Sequence, residues 1–387
     1  MKSNFYIVDT QVELGDALSK EIQNQSIVYE IMHMEKVVAS ISKHGIAKIF
    51  NEQFMPYDLY LEDISNPSIE TRMNNLNNFN HWCASRVLSI DRKFAKEILN
   101  SIGVSQATTD QDRANISLSY HCVSLIDVFW VKKQSDSISF REINLYDNPL
   151  NEAIVDLPLK GKQMTVTNQE LAPDLSTKGC FPKAWIRDKN GFKLLKDGGD
   201  DVVQRELIAS QICQCFDFPQ VKYTQRIYDN QIVTESEIIT SKKLSMISKF
   251  SFDIYAVNHD LNTIEECIKL DPVAYYGMNI LDYLIGNTDR HPENWGFLVD
   301  NETNKPVSLY PLMDFNQSFL SYDEIDGAPC QTTPTAVKQK TAAIEAVKIV
   351  GLRQIKEIDS SIFENLKNKS DMFFKRLSIL QNYNIQN

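Results

Sequence analysis

Apolar and polar residues alternate early in the chain and recur at helical spacing late in it. Three short strand patterns come first, at residues 27–32, 37–41 and 46–50, with His44-Gly45 as a turn between the last two. Residues 63–80 are rich in Asn, Asp and Ser and read as a loop. Residues 82–101 then carry Trp82, Val87, Leu88, Phe94, Ile98 and Leu99 at helical spacing. A strand-like region at 117–130 and the segment 143–148 follow. Gly161, Pro173 and several Ser and Thr mark a boundary within 160–178.

The second half is more strongly punctuated. Residues 185–187 and 192–196 flank Asn190-Gly191, a hairpin signal. Residues 201–216 have a helical stripe of Val202, Val203, Leu207, Ile208, Ile212 and Phe216. A second hairpin pairs 221–228 with 232–239 about Asp229-Asn230, and from about residue 245 the pattern reads as helical. Asp271-Pro272 is an N-cap and first-turn pair, and a core helix over 273–285 ends at Gly286. Residues 296–300 and 307–312 pair across 301–306, and 341–383 is mainly helical. The pattern predicts an α+β chain in three parts: an N-terminal α+β domain over 1–170, a β-rich part over 171–242 and a helical part over 243–387.

Composition narrows the class. The 387 residues are 43% hydrophobic and 24% charged, as expected of a globular chain with a substantial core. The net charge of −11 argues against direct nucleic-acid binding through a phosphate-neutralising surface. Seven cysteines are scattered, and the one close pair, Cys213-x-Cys215, lies in a helical pattern without zinc-ligand spacing, so core packing is expected. An odd cysteine count without a signal-peptide pattern predicts a reducing, cytoplasmic setting, and no run is apolar enough to span a membrane. Residues 1–165 hold no cluster of titratable groups. His121 there is expected to be a satisfied packing residue, and this part is expected to be structural or partner-facing.

The chemistry gathers in residues 286–296, Gly-Asn-Thr-Asp-Arg-His-Pro-Glu-Asn-Trp-Gly, and in Met313-Asp314-Phe315. Phosphoryl transfer needs a carboxylate to orient or deprotonate the acceptor hydroxyl, and oxygen ligands to hold Mg²⁺ against the phosphates. Asp289, Asn294 five residues later and the later Asp314 reproduce the order in which protein kinases supply these groups. The details depart from the common kinases: His291 follows the Asp, and Asn316 stands where Gly follows Asp-Phe.

With those departures the stretch resembles the HipA-like serine/threonine kinases, which carry Asp-x-His-x-x-Asn and a later metal-binding Asp. Residues of the N-terminal part, among them Arg86 and 117–120, resemble a clostridial and phage-borne subset of that family more loosely. The resemblance implies a two-lobed kinase fold, with a β-rich small lobe and a helical large lobe after the N-terminal domain. It implies ATP and Mg²⁺ as cofactors, Asp289 and His291 as catalytic residues, and Asn294 and Asp314 as metal ligands. Residues 176–183, with Ser176, Gly179 and Lys183, resemble the family's phosphate loop, in which the Ser is autophosphorylated; the adjacent Thr177 is a second possible acceptor. A strand Lys and the helical Glu206 would hold the phosphates; the alternation leaves open whether the Lys is Lys196 or Lys193. Backbone groups near Glu235 and Glu237 would meet adenine. The family implies a protein substrate and a toxin–antitoxin role with an antitoxin partner. A nucleotide-binding pseudokinase and a metal-dependent phosphoesterase are the alternative readings.

Overall fold

A computed structural model describes residues 28–87, 109–148, 182–189 and 191–384. Its strands form three antiparallel sheets, with helices packed around them. The first sheet contains β1 (Val28–His33), β2 (Lys36–Ser42), β3 (Ala47–Ile49) and β4 (Phe129–Lys133), in the order β3-β2-β1-β4. Ile31, Val38, Ile41, Phe79, Trp82 and Val131 share one apolar cluster on this sheet.

Two stretches of this region differ from the sequence expectation. Helix α1 (Ile69–Ser85) occupies much of the segment read as a loop. Its start is capped by Ser68, whose hydroxyl accepts from Thr71 N at 3.0 Å. Its Asn-rich face is partly buried: Asn75 donates to Gly45 O at 3.1 Å and accepts from Glu62 N at 2.8 Å. Helix α2 (Asp110–Ser119) takes the beginning of the stretch read as a strand from 117, behind a capping box of Thr109 and Asp112. The strand itself begins only at Phe129. His121 is a packing residue as expected, with Nδ1 3.1 Å from Val131 O. A short helix α3 (Phe140–Ile143) closes the region. The helix expected beyond residue 87 and the boundary expected over 160–178 lie outside the described residues.

His33 gives this sheet a pH sensitivity. It is buried between the rings of Phe54 and Phe129, each 5.1 Å away centroid to centroid, and its Nε2 has no hydrogen-bond partner among the described residues. Burial, with Lys36 adding to it, pushes the imidazole down to about 4. Unfolded histidine titrates near 6.5. The unfolded chain therefore binds the proton first, and stability should be full above about pH 6.5 and fall as the pH drops toward about 4, by as much as ~3 kcal/mol. His33→Leu should flatten the unfolding profile in that window. A wild-type profile no steeper than the variant's would contradict this.

The second sheet has the order β5-β6-β8-β7, from β5 (Lys183–Asp188), β6 (Gly191–Lys196), β7 (Thr224–Tyr228) and β8 (Gln231–Glu237). Asp229 and Asn230 both have positive φ, at 49° and 60°, as a tight two-residue hairpin turn requires. Helix α4 (Asp200–Cys213) packs against β8 and buries Cys213 along with Leu207, Ile208 and Ile212. The third sheet, β11-β10-β9, joins β10 (Gly296–Asp300) and β11 (Lys305–Leu309) to β9 (Leu244–Ser248). Strand β9 corrects the expectation of helix from residue 245: its pairing with β10, from Leu244↔Asp300 to Ser248↔Gly296, overrides the local pattern. Helices α5 (Lys249–Asn258), α6 (Thr263–Leu270), α7 (Pro272–Ile285), α8 (Gln339–Val350) and α9 (Lys367–Tyr383) complete the described chain. Helix α7 is the axis of the main core, with Ile280, Leu281, Tyr283, Leu284 and Ile285 all fully buried.

The first sheet's region docks on β9 and on the connection between β8 and β9. Met246 N donates to Ile126 O at 2.8 Å, and Thr240 Oγ1 donates to Leu125 O. Farther off, Tyr57 OH donates to Asn304 O at 2.7 Å and its ring stacks on Phe252.

Candidate active site

The residues expected to carry the chemistry leave the C-terminus of α7. Asp271 caps the helix start through Ala274 N at 3.0 Å, and Gly286 ends it at φ +60°. A Cβ at Gly286 would lie 2.4 Å from the Tyr322 ring, so glycine is required by space as well as by conformation. Beyond it the loop is pinned residue by residue. Asn287 Oδ1 accepts from Asp289 N at 3.2 Å, an Asx turn. Gln339 Nε2 donates to Asn287 O at 2.6 Å, and Gln331 Nε2 to Thr288 O at 3.2 Å.

Arg290 ties this loop to the segment carrying Asp314. It is 2% exposed, and its Nε and Nη2 each donate to the Asp282 carboxylate at 2.9 Å. Its Nη1 donates to Asn294 O at 3.0 Å and to Met313 O at 2.7 Å. One guanidinium therefore holds α7, the loop and the residue before Asp314 together. Burial works against its charge, and the Asp282 carboxylate more than offsets that.

Within the loop, Asn294 Nδ2 donates to Asp289 O at 2.8 Å, which leaves Oδ1 as the end available to a ligand. His291 Nδ1 accepts from Glu293 N at 3.2 Å, so a neutral His291 carries its proton on Nε2. That nitrogen is 3.9 Å from Asp289 Oδ1, close enough for electrostatic influence but too far for a hydrogen bond. Burial pushes the Asp289 carboxyl up; His291 opposes this and Asp314 adds to it.

Asp314 faces the second sheet. Its backbone has φ +61°, uncommon outside glycine, and its N–H donates to Tyr223 OH at 3.1 Å. Lys196 Nζ donates to Asp314 Oδ1 and to Glu206 Oε1, both at 2.7 Å. Thr234 Oγ1 donates to the other Glu206 oxygen, Oε2, at 2.7 Å. Burial alone would raise the Asp314 carboxyl; the ammonium groups of Lys196 and Lys183 override it and hold it at about 2. Lys196 is correspondingly raised: burial opposes its charge, and Asp314 and Glu206 outweigh that.

The strand geometry distinguishes the two candidate lysines. Lys196 pairs in register with Thr234 on β8, and Lys193 lies on the opposite face, bonded to Glu235 Oε1 at 3.0 Å. The Glu235 carboxylate is also held by Arg226 Nη1 at 2.6 Å, away from Asp314. Strand β7 stops at the Thr224↔Glu235 pair, and β8 runs past it on that side through Ser236 and Glu237. Thus Lys196, Glu206 and Asp314 are in direct contact, Asp289, His291 and Asn294 share one loop, and Lys183 acts on Asp314 through its charge. Ser176, Thr177 and Gly179 lie outside the described residues. Sequence reasoning did not single out Arg290, Asp282, Thr234 or Tyr223. The buried Asp282–Arg290 pair spans a helix end, where no periodic spacing signals it.

The oxygen donors available suit a hard cation. Mg²⁺ is usually held by one or two carboxylates together with substrate phosphates and water, not by an all-protein cage. Asp314 and Asn294 carry side-chain oxygens of that kind, and Arg290 Nη1 draws their segments together through Asn294 O and Met313 O. Among the described residues no group of three or more His, Cys, Asp or Glu could hold a metal by itself.

No protein-family model matches the chain, and no curated protein matches it. Among solved structures it is similar to a Helicobacter pylori proinflammatory kinase, CtkA, at 15% identity, covering 52% of this chain and 89% of that one with a TM-score of 0.38. It is also similar to a chain of the Shewanella oneidensis MR-1 toxin–antitoxin complex of HipA, HipB and operator DNA. That match has 11% identity, 92% and 95% coverage and a TM-score of 0.47. Likeness at this level transfers no residue role, so the roles rest on the contacts above.

Proposed function

We propose that the chain is an ATP- and Mg²⁺-dependent serine/threonine protein kinase. In this reading the second sheet with α4 is the small lobe, and the helices around α7 form the large lobe. The observation that carries it is the buried Lys196 ammonium bonded at once to Glu206 and Asp314. Such a lysine, oriented by a helical Glu beside a metal-binding Asp, is what a kinase uses to hold nucleotide phosphates. Bound MgATP would supply the phosphoryl group and neutralise its developing charge. Asp314 and Asn294 would hold the metal, and Lys196 and Lys183 would meet the phosphates. Asp289, its carboxyl raised by burial, orients the acceptor hydroxyl and takes its proton. His291 sits beside it and steadies its charge. The β8 edge at Ser236 and Glu237 offers backbone groups to the base.

From the sequence resemblance, Ser176 or Thr177 is the proposed acceptor on the chain itself, with Gly179 in the phosphate loop. The same resemblance is the ground for proposing a protein substrate, an antitoxin partner and a cytoplasmic setting. No helix among the described residues is long and apolar enough to cross a membrane. The lysine pair tests the assignment. Lys196→Met should weaken MgATP binding by roughly 10- to 100-fold, the worth of a hydrogen bond to a charged group, and Lys193→Met should leave it unchanged. Titration calorimetry on the full chain reads both. Equal affinities for the two variants would refute the phosphate role of Lys196.

A further inference from the structure

Asn316 stands two residues after Asp314 and is 2% exposed. Its side chain turns back so that Nδ2 donates to Asp314 Oδ1 at 2.5 Å. The reverse placement of the amide would set two oxygens against each other at that distance, so the nitrogen must face the carboxylate. The cost falls on the other end: Asn316 Oδ1 is buried and has no hydrogen-bond partner among the described residues. A buried acceptor left unpaired is destabilising, so the amide is a poor choice for packing alone. Its backbone carbonyl is held as well, by Arg205 Nε at 3.2 Å, next along α4 to Glu206.

We propose that Asn316 is a positioning residue for the metal-binding carboxylate. Together with Lys196 it saturates Asp314 Oδ1, so that Oδ2 is the oxygen presented to a divalent cation. The two donors differ in kind. Lys196 is shared with Glu206 and bonds from the second sheet, whereas Asn316 lies two residues after Asp314 on the same segment. Because the Asp314 backbone sits at φ +61°, a strained setting for its side chain, a donor two residues along the same segment steadies the carboxylate. The inference rests on the kinase reading.

Calorimetry on the full chain tests it, with ATP in the presence of a chelator and again with Mg²⁺. For Asn316→Ala, affinity for metal-free ATP should stay within about twofold of wild type, while the gain on adding Mg²⁺ should shrink about tenfold. The Mg²⁺ concentration giving half-maximal phosphate transfer should rise by a similar factor, with kcat at saturating Mg²⁺ little changed. Asn316→Ser, which keeps a shorter donor, should fall between, and it serves as the folded comparison if the Ala variant does not fold. An unaltered Mg²⁺ gain in both variants overturns the proposal. So does a parallel loss of metal-free affinity and thermal stability, the mark of a purely structural role. A wild-type chain with no Mg²⁺ gain would instead remove the kinase reading itself.

Discussion

Asp289→Asn should leave MgATP binding in place and lower phosphoryl transfer by about 10²- to 10⁴-fold, whereas Asp314→Asn should remove the Mg²⁺-dependent part of binding as well as transfer. The split follows from where each carboxylate sits. Asp289 is half-exposed and lies in the loop after α7, and Lys196 acts on it through charge. Asp314 is bonded to the Lys196 ammonium and held at about 2, so it is ionised at any ordinary pH. Replacing it with the neutral amide also leaves Lys196 with Glu206 alone. Binding measured with and without Mg²⁺, beside a transfer assay, separates the roles. Equal loss of binding in both variants would show that Asp289 acts on the nucleotide and not on the acceptor.

Arg290→Met should cost about 3–5 kcal/mol of stability, because it leaves the Asp282 carboxylate buried without its partner. It should also lower transfer, since Asn294 O and Met313 O lose the donor that holds them side by side. The double variant Asp282→Leu/Arg290→Met separates the two effects. Replacing a buried ion pair with apolar residues is often close to neutral, so the double variant should regain much of the stability. Transfer should remain low, because no guanidinium then joins the loop to the Asp314 segment. Recovery of both together would reduce Arg290 to a stabilising residue.

Much of the fold after residue 182 is legible because local signals agree with tertiary packing there. Asp271-Pro272 and Gly286 bound α7 at the expected residues, and Asp229-Asn230 turns its hairpin with both φ values positive. The N-terminal region misleads for a physical reason. Asn74, Asn75, Asn77 and Asn78 favour loops in isolation, yet Asn75 is buried in α1 by bonds to Gly45 and Glu62, residues distant in sequence. Strand β9 exists because β10 pairs with it, information the segment 244–248 does not carry. The site divides in the same way. The spacing of Asp289, Asn294 and Asp314 is visible along the chain, as is Asn316 in the place of a glycine. What holds them is not: Arg290 reaches Met313 O, and the choice of Lys196 over Lys193 needs the register of β6 against β8.

The most direct test is transfer of label from γ-labelled ATP in the presence of Mg²⁺ to the full chain, followed by identification of the labelled amino acid. The account predicts phosphoserine or phosphothreonine on the wild-type chain and a loss of about 10²- to 10⁴-fold for Asp289→Asn. Absence of label on the wild-type chain, or equal label on both, would contradict it.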